Sequence, residues 1–323
     1  MKISLKTNNK YNYKKMFHSC WSLMKLFNSQ YWNNYSQWLY DVVFSVFFLA
    51  FFGFMNQAMF KQIFQLNDPN MFKEMIIGLI VLQIISVGCF SMPIGIMEFK
   101  TSILMKMIGS SPIKPWMFIV TAVLFYFGLV TILAIWIVIW TAILFGFQQF
   151  DIVTSDKKIE HISGLNLIFS SGKIDLGDGK YFKYGVNWGG VTFSLIYTMI
   201  VSTFIGLFNV SLSKTASASS IKGSIIYFSC MFLSGMIFPL STISSNAVLN
   251  IFSYFTPYRY TNVLLNVAWL NGNIFNPFDS INETIKNKLL ITNGDIIAAF
   301  IVPILIIIAS FIVMLKFFKW NNR

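Results

Sequence analysis

The chain has 323 residues, of which 56% are hydrophobic, 18% aromatic and only 11% charged. A soluble domain carries about a quarter charged residues, so this composition excludes an ordinary soluble protein and points to the bilayer. The net charge of +12 raises the question of a nucleic-acid partner, but the placement of the charges argues for membrane topology and no nucleic acid.

The first 38 residues hold no early uninterrupted apolar region and no small-residue cleavage site after one. They do not read as a secretory signal, so the first span is expected to remain as an anchor. Within them, "KKMFHSCWSLMKLFNSQYW" (residues 14–32) carries a helical stripe. Lys15, His18, Ser22, Lys25 and Ser29 fall on one side; Met16, Phe17, Cys20, Leu23, Met24, Phe27 and Tyr31 fall on the other. This predicts an amphipathic helix along one leaflet with its lysines near anionic headgroups, either as a connecting helix that touches a partner or as a plain anchor.

A helix needs about 20 mainly apolar residues to cross the hydrocarbon core. Six stretches qualify: Leu39–Ala58, Met75–Ile96, Trp116–Phe147, Gly189–Leu212, Gly223–Leu240 and Ile296–Leu315. The third is long enough that it should tilt or protrude. No charge sits well inside any of the six, Asp41 lying near the start of the first.

Six spans put both termini on one side, and lysine bias identifies that side. Segments 1–38, 98–115, 213–222 and 316–323 hold 14 basic residues and one acid, Glu98, whereas loops 59–74, 148–188 and 241–295 hold 10 of each. Cytoplasmic termini follow. Residues 1–38 then form a cytoplasmic tail with an interfacial helix, and 39–323 the membrane domain. The fold expected is all-α and polytopic.

Loop 148–188 contains "SSGKIDLGDGKYFKYG". Its Asp175 and Asp178 do not follow EF-hand spacing, so a Gly/Asp turn, as in a β-hairpin, is expected. In 241–295 the runs Ala247–Phe255 and Tyr260–Leu270, separated by Pro257, are too short to cross and should be short re-entrant helices at the outer face. Cys20, Cys89 and Cys230 show neither a disulfide framework nor zinc spacing and read as apolar fillers. Ser202 and Gly206 form a small-xxx-small pair suited to helix packing.

No G-x-x-x-x-G-K-[ST], H-E-x-x-H or G-x-S-x-G occurs, and the two histidines, His18 and His161, lie far apart in sequence. No catalytic site, metal site or cofactor in this chain is expected. With no charge inside the spans, uphill transport needs energy from another chain.

Between the second and third spans lies a polar island, Glu98–Pro115. Glu98 and Lys100 leave the membrane, Thr101 or Ser102 can cap a short helix that includes Lys106, Gly109-Ser110-Ser111-Pro112 ends it, and Pro115-Trp116 opens the next span. By chemistry alone an ordinary loop helix explains it. The pattern of a glutamate, a small hydroxyl residue, an apolar turn and "SPIKPW" before a span resembles the coupling helix of type-2 ATP-binding-cassette exporter permeases. "FLSGMIFPLSTI" (Phe232–Ile243) is similar to that family's Leu-Ser-Gly…Pro stretch, and "FSYFTPYRYTNVLLN" (Phe252–Asn266) to its P-x-x-Y stretch. The resemblance covers nearly the whole chain. Two features depart from the family: Phe99-Lys100-Thr101-Ser102 replace its usual run after the glutamate, and the loop at 148–188 is longer.

The resemblance implies a permease subunit in the cell membrane. It would work as a dimer with a second permease protomer, each docked to a cytoplasmic ATPase subunit that uses ATP and Mg. Glu98, Lys100, Thr101, Ser102, Lys106, Ser111 and Pro112 would take up the ATPase motion. Ser234, Gly235, Met236, Phe238 and Pro239 would serve the pathway or helix packing, Pro239 allowing a bend. The alternatives are a passive channel or scaffold with no ATPase and, last, an intramembrane enzyme, which needs a polar cluster at membrane depth that the sequence does not display.

Overall fold

A computed structural model describes residues 9–64, 69–101, 115–147, 149–153, 159–170, 172–177, 180–276, 278, 285, 287 and 289–317. Helix α1 (Asn9–Asn33) is followed by one continuous helix made of α2 (Tyr35–Trp38), a π-helical segment Leu39–Phe44 and α3 (Ser45–Phe64). The next helix is built the same way from α4 (Pro69–Ser86), a π-helical segment Val87–Ser91 and α5 (Met92–Thr101). Then come α6 (Pro115–Phe145), β1 (Gln149–Val153), β2 (Ile159–Ser163), α7 (Gly164–Phe169), β3 (Gly172–Gly177) and β4 (Lys180–Tyr184). The chain ends in α8 (Trp188–Leu212), α9 (Ala216–Leu233), α10 (Leu240–Ser245), α11 (Ala247–Tyr254), α12 (Pro257–Trp269) and α13 (Asn293–Phe317).

The bundle is all-α as expected. The described strands are confined to the 149–184 segment, as two antiparallel hairpins, β1–β2 and β3–β4. The second shows a register shift between Asp175 and Gly177, next to the expected Gly/Asp turn.

Among the described residues, four helices are long and apolar enough to cross a membrane: Ile76–Lys100, Met117–Phe145, Trp188–Leu212 and Asn293–Met314; Asp41–Met55 is a shorter apolar helix. Burial orders them. In an 18-residue apolar stretch of Ile76–Lys100, 94% of the residues are buried inside the protein, against 33% for Met117–Phe145 and 22% for Asn293–Met314. The first is therefore the hub and the last two are walls. On α13, Ile301, Ile304, Leu305, Ile308, Phe311 and Ile312 are exposed at helical spacing, an apolar face suited to lipid.

The fifth expected span is displaced. Its helix runs Ala216–Leu233 rather than Gly223–Leu240, because Ser234 is its C-cap and Gly235 takes φ +80°, a conformation glycine adopts without the Cβ penalty. Pro239 lies beyond the helix as the N-cap of α10 and does not bend the span. The 213–222 loop shrinks accordingly to Ser213–Thr215, and Lys222, inside α9, donates to the Leu212 carbonyl at the end of α8 at 2.5 Å. The runs around Pro257 do form short helices, with Pro257 at the first turn of α12, where its missing N–H costs nothing. α12 is buried along nearly its full length, packed between α8 and α13.

The hub makes its closest approach at Val87–Ser91. A Cβ added to Gly206 would lie 2.7 Å from the Gly88 carbonyl oxygen and 3.0 Å from Met92 Sδ. Ser202 Oγ donates to the Ile84 carbonyl at 2.9 Å and accepts from the Tyr258 hydroxyl at 3.3 Å. The small pair on α8 is thus a packing device. Gly206→Leu is expected to lower the unfolding free energy by about 1–3 kcal/mol through overpacking, and Ser202→Ala by about 0.6 kcal/mol through one interhelical hydrogen bond. Thermal unfolding of the two purified variants checks that order.

Candidate functional site

The island's first residues are held by the amphipathic helix. Glu98, on α5, accepts from Asn34 Nδ2 at 3.1 and 3.2 Å and from Gln30 Nε2 at 3.3 Å; Gln30 Nε2 also donates to the Gly95 carbonyl at 3.2 Å. One aromatic ring ties the rest. Phe27 on α1 lies 5.0 Å from Phe99 on α5 and 5.3 Å from Phe118 on α6, centroid to centroid, and Phe99 and Phe118 are 5.3 Å apart. Leu23, Phe27 and Tyr31, one turn apart in succession, are buried, while His18, Ser22, Lys25 and Ser29 are exposed. The predicted stripe is therefore the one used, although Phe17 on the apolar side is 73% exposed.

Thr101 is the last residue of α5, and the short helix that it or Ser102 was expected to cap lies outside the described residues. Lys100 is on the same last turn. Ser102, Lys106, Ser111 and Pro112, with the coupling helix itself, lie outside the described residues. What the structure does place is both of that segment's flanks: Phe99 is two residues before Thr101, Phe118 three after Pro115, and both pack on Phe27.

A second constellation lies deeper. Asp41, fully buried on the π-helical segment of the first apolar helix, accepts from the Tyr31 hydroxyl at 3.1 Å, from Ser86 Oγ at 3.3 Å and from Ser91 Oγ. Gln83 Nε2 donates to the Asp41 carbonyl at 2.9 Å. Ser86 and Ser91 lie about 14–21 Å along the helix from Lys100, at 1.5 Å per residue. A polar cluster thus exists inside the bundle, correcting the expectation that none would be found. It went unseen because four of its members are neutral side chains on two other segments. Burial, and next the neighbouring Asp41 carboxylate, hold the Tyr31 hydroxyl well above its usual range, so it stays a donor.

The backbone explains why this cluster forms here. Pro93 has no N–H for the Cys89 carbonyl four residues back. The helix takes π geometry over Val87–Ser91 just before it, and Gly223 on α9 packs against the Cys89 carbonyl. The wider turn directs Ser91 to Asp41, itself on a π segment. Such segments are frequent at functional sites.

Of the five pathway candidates, Ser234, Gly235, Met236 and Pro239 are buried and Phe238 is 42% exposed. Ser234 Oγ donates to Thr256 Oγ1 at 2.8 Å, and Asn262 Nδ2 donates to the Ser234 and Gly235 carbonyls at 2.7 and 3.0 Å. These contacts make the turn a joint between α9 and α12. A residue the sequence reading passed over, Arg259, is buried nearby, 3.8 Å from Asp295 at the start of α13 and 4.0 Å over the Tyr254 ring; Tyr254 donates to Asp295 at 2.6 Å. Its signal was a lone charge in the short gap between two apolar runs.

The sequence profile of the ABC-2 family transporter proteins matches residues 2–317. The chain belongs to this family. No curated protein and no solved structure matches it. Membership makes the chain a membrane permease subunit of an ABC transporter and implies an ATPase partner. Among the described residues of this ABC-2 subunit, no group of three or more His, Cys, Asp or Glu stands together to hold a metal ion.

Two outcomes test the interior. Asp41→Leu leaves buried hydroxyls without their acceptor, at about 1–3 kcal/mol for an unsatisfied group; it should lower the unfolding midpoint clearly more than Asp41→Asn, which keeps an acceptor. Gly235→Ala, forced to a left-handed conformation, should lose about 1–2 kcal/mol, read in the same unfolding assay.

Proposed function

We propose that the chain is the membrane half of an ATP-driven exporter, with six spans, cytoplasmic termini and short re-entrant outer helices, assembled in the cell membrane as a homo- or heterodimer on two separate ATPase subunits. The observation that carries the reading is the match of an ABC-2 transporter family to residues 2–317. Supporting it, the sequence has no P-loop, so the nucleotide chemistry belongs to a partner that uses ATP and Mg. Lysine placement puts the island on the side where such a partner resides. Crossing at the first and fifth positions relies on helices 35–64 and Ala216–Leu233, which take the bundle from four spans to six.

The aromatic knot suggests how work enters. The described residues that flank 102–114, Thr101 and Pro115, lie within a turn of Phe99 and Phe118, and both rings bear on Phe27. A push on that segment would therefore move α1, α5 and α6 together, and through Ser91 and Tyr31 reach the Asp41 cluster. Close-packed side chains transmit displacement because they cannot compress. The Ser234–Pro239 turn, latched by Asn262, would be the joint at which α9 and the outer helices re-orient.

The test is co-expression with a P-loop ATPase. The ATPase should co-purify with the intact chain and be lost on deletion of residues 102–109. Lys106→Glu should weaken coupling with insertion intact. Phe27→Leu, a volume-reducing change in the knot, should keep the ATPase bound but lower stimulated ATP hydrolysis several-fold. A chain that transports actively with no companion subunit, or unchanged stimulation in Lys106→Glu, would overturn the assignment.

A further inference from the structure

Between α1 and α6 runs a groove of about 680 Å³. Its polar groups are on α1: Lys25 and Asn28, with Trp21, line it beside Phe27, which meets Phe118 and Phe125 of α6. From there the α6 wall is apolar through Gly128 and Ile132 to Trp136, whose Nε1 donates to the Val42 carbonyl at 3.4 Å. Phe125 to Trp136 covers about 17 Å at 1.5 Å per residue, close to the roughly 15 Å depth of one leaflet's hydrocarbon. Lys25 is exposed, with its ammonium 6.0 Å from the centre of the Trp21 ring. The first 38 residues carry six lysines and no acid. A cation and an amide on the α1 side of an apolar trough match an amphiphile with an anionic head and a hydrocarbon tail.

We propose that this groove is a binding site for one anionic phospholipid of the leaflet along which α1 lies, with its phosphate at Lys25 and Asn28 and one acyl chain along Gly128 and Ile132. The lipid would wedge α1 against α6 beside the Phe27 knot, making the stiffness of that joint depend on the anionic lipid supply. The site goes beyond the transport reading and needs only that α1 is interfacial.

The groove contains its own control. A Cβ added to Gly128, on the lining of the groove, meets nothing within 4 Å, so a side chain there starts into open space. The full chain is delipidated in detergent and titrated with dioleoylphosphatidylglycerol or dioleoylphosphatidylcholine, and bound lipid is counted by native mass spectrometry. One phosphatidylglycerol is expected to bind about tenfold more tightly than phosphatidylcholine. Lys25→Gln should reduce that affinity about fivefold, the worth of one lysine at an anionic surface, leaving phosphatidylcholine unchanged. Gly128→Phe should abolish the retained lipid while the unfolding midpoint stays at the wild-type value; Ile132→Trp, at a 69% exposed position, serves as a second plug. Equal binding of the two lipids, binding that climbs without a one-lipid plateau, or retention in both plugged variants overturns the proposal. No ATPase or cargo enters the measurement, so its failure leaves the exporter reading standing.

Discussion

A carbonyl that loses its helical partner inside a bilayer has no water to turn to. Pro93, with no N–H to offer the Cys89 carbonyl four residues back, sets that problem in the most buried of the four long apolar helices. The chain answers by widening Val87–Ser91 into a π turn and by bringing α9 in at Gly223, where the absence of a side chain lets the neighbouring backbone approach. Gly88 and Gly206 do the same for α8. The positions of α8 and α9, and of α12 through Tyr258, follow from that one crowded level.

Polar groups enter the bundle on the same terms. Asp41 is surrounded by hydroxyls from α1 and the second apolar helix, and Arg259 is held by Asp295, Ser253 and the Tyr254 ring. Neither charge stands alone, as burial in low dielectric demands. Each network links helices far apart in sequence, so each specifies which helix lies beside which. The Asp41 network joins α1 to the first two apolar helices; the Arg259 network joins α11 and α12 to α13.

Between these levels and the island sits the Phe27 knot. Three rings from three helices at about 5 Å spacing form a compact, poorly compressible contact. Under the proposed coupling to an ATPase partner, a stiff element at the island's two roots would suit a part that receives displacement. The turn at Ser234–Gly235 is the complementary feature, a break in α9 that lets one helix meet another at an angle.

Much of this was legible in the residue order. Apolar runs of about 20 residues marked the helices, since spanning length follows from bilayer thickness alone. The Leu23–Phe27–Tyr31 face and the Ser202/Gly206 pair followed from helical periodicity. Pro257 placed the break between α11 and α12, and three weak motifs in order pointed to the family. The tertiary structure decided the rest. That α9 stops at Leu233 depended on Gly235 adopting a positive φ, a choice glycine permits but composition does not reveal. That Asp41 lies at the centre of a polar cluster depended on Tyr31, Ser86 and Ser91 converging from segments up to 60 residues apart. Linear pattern reports the period of one helix against its solvent; which side chains meet across helices is set by packing, and packing is a property of the assembled bundle.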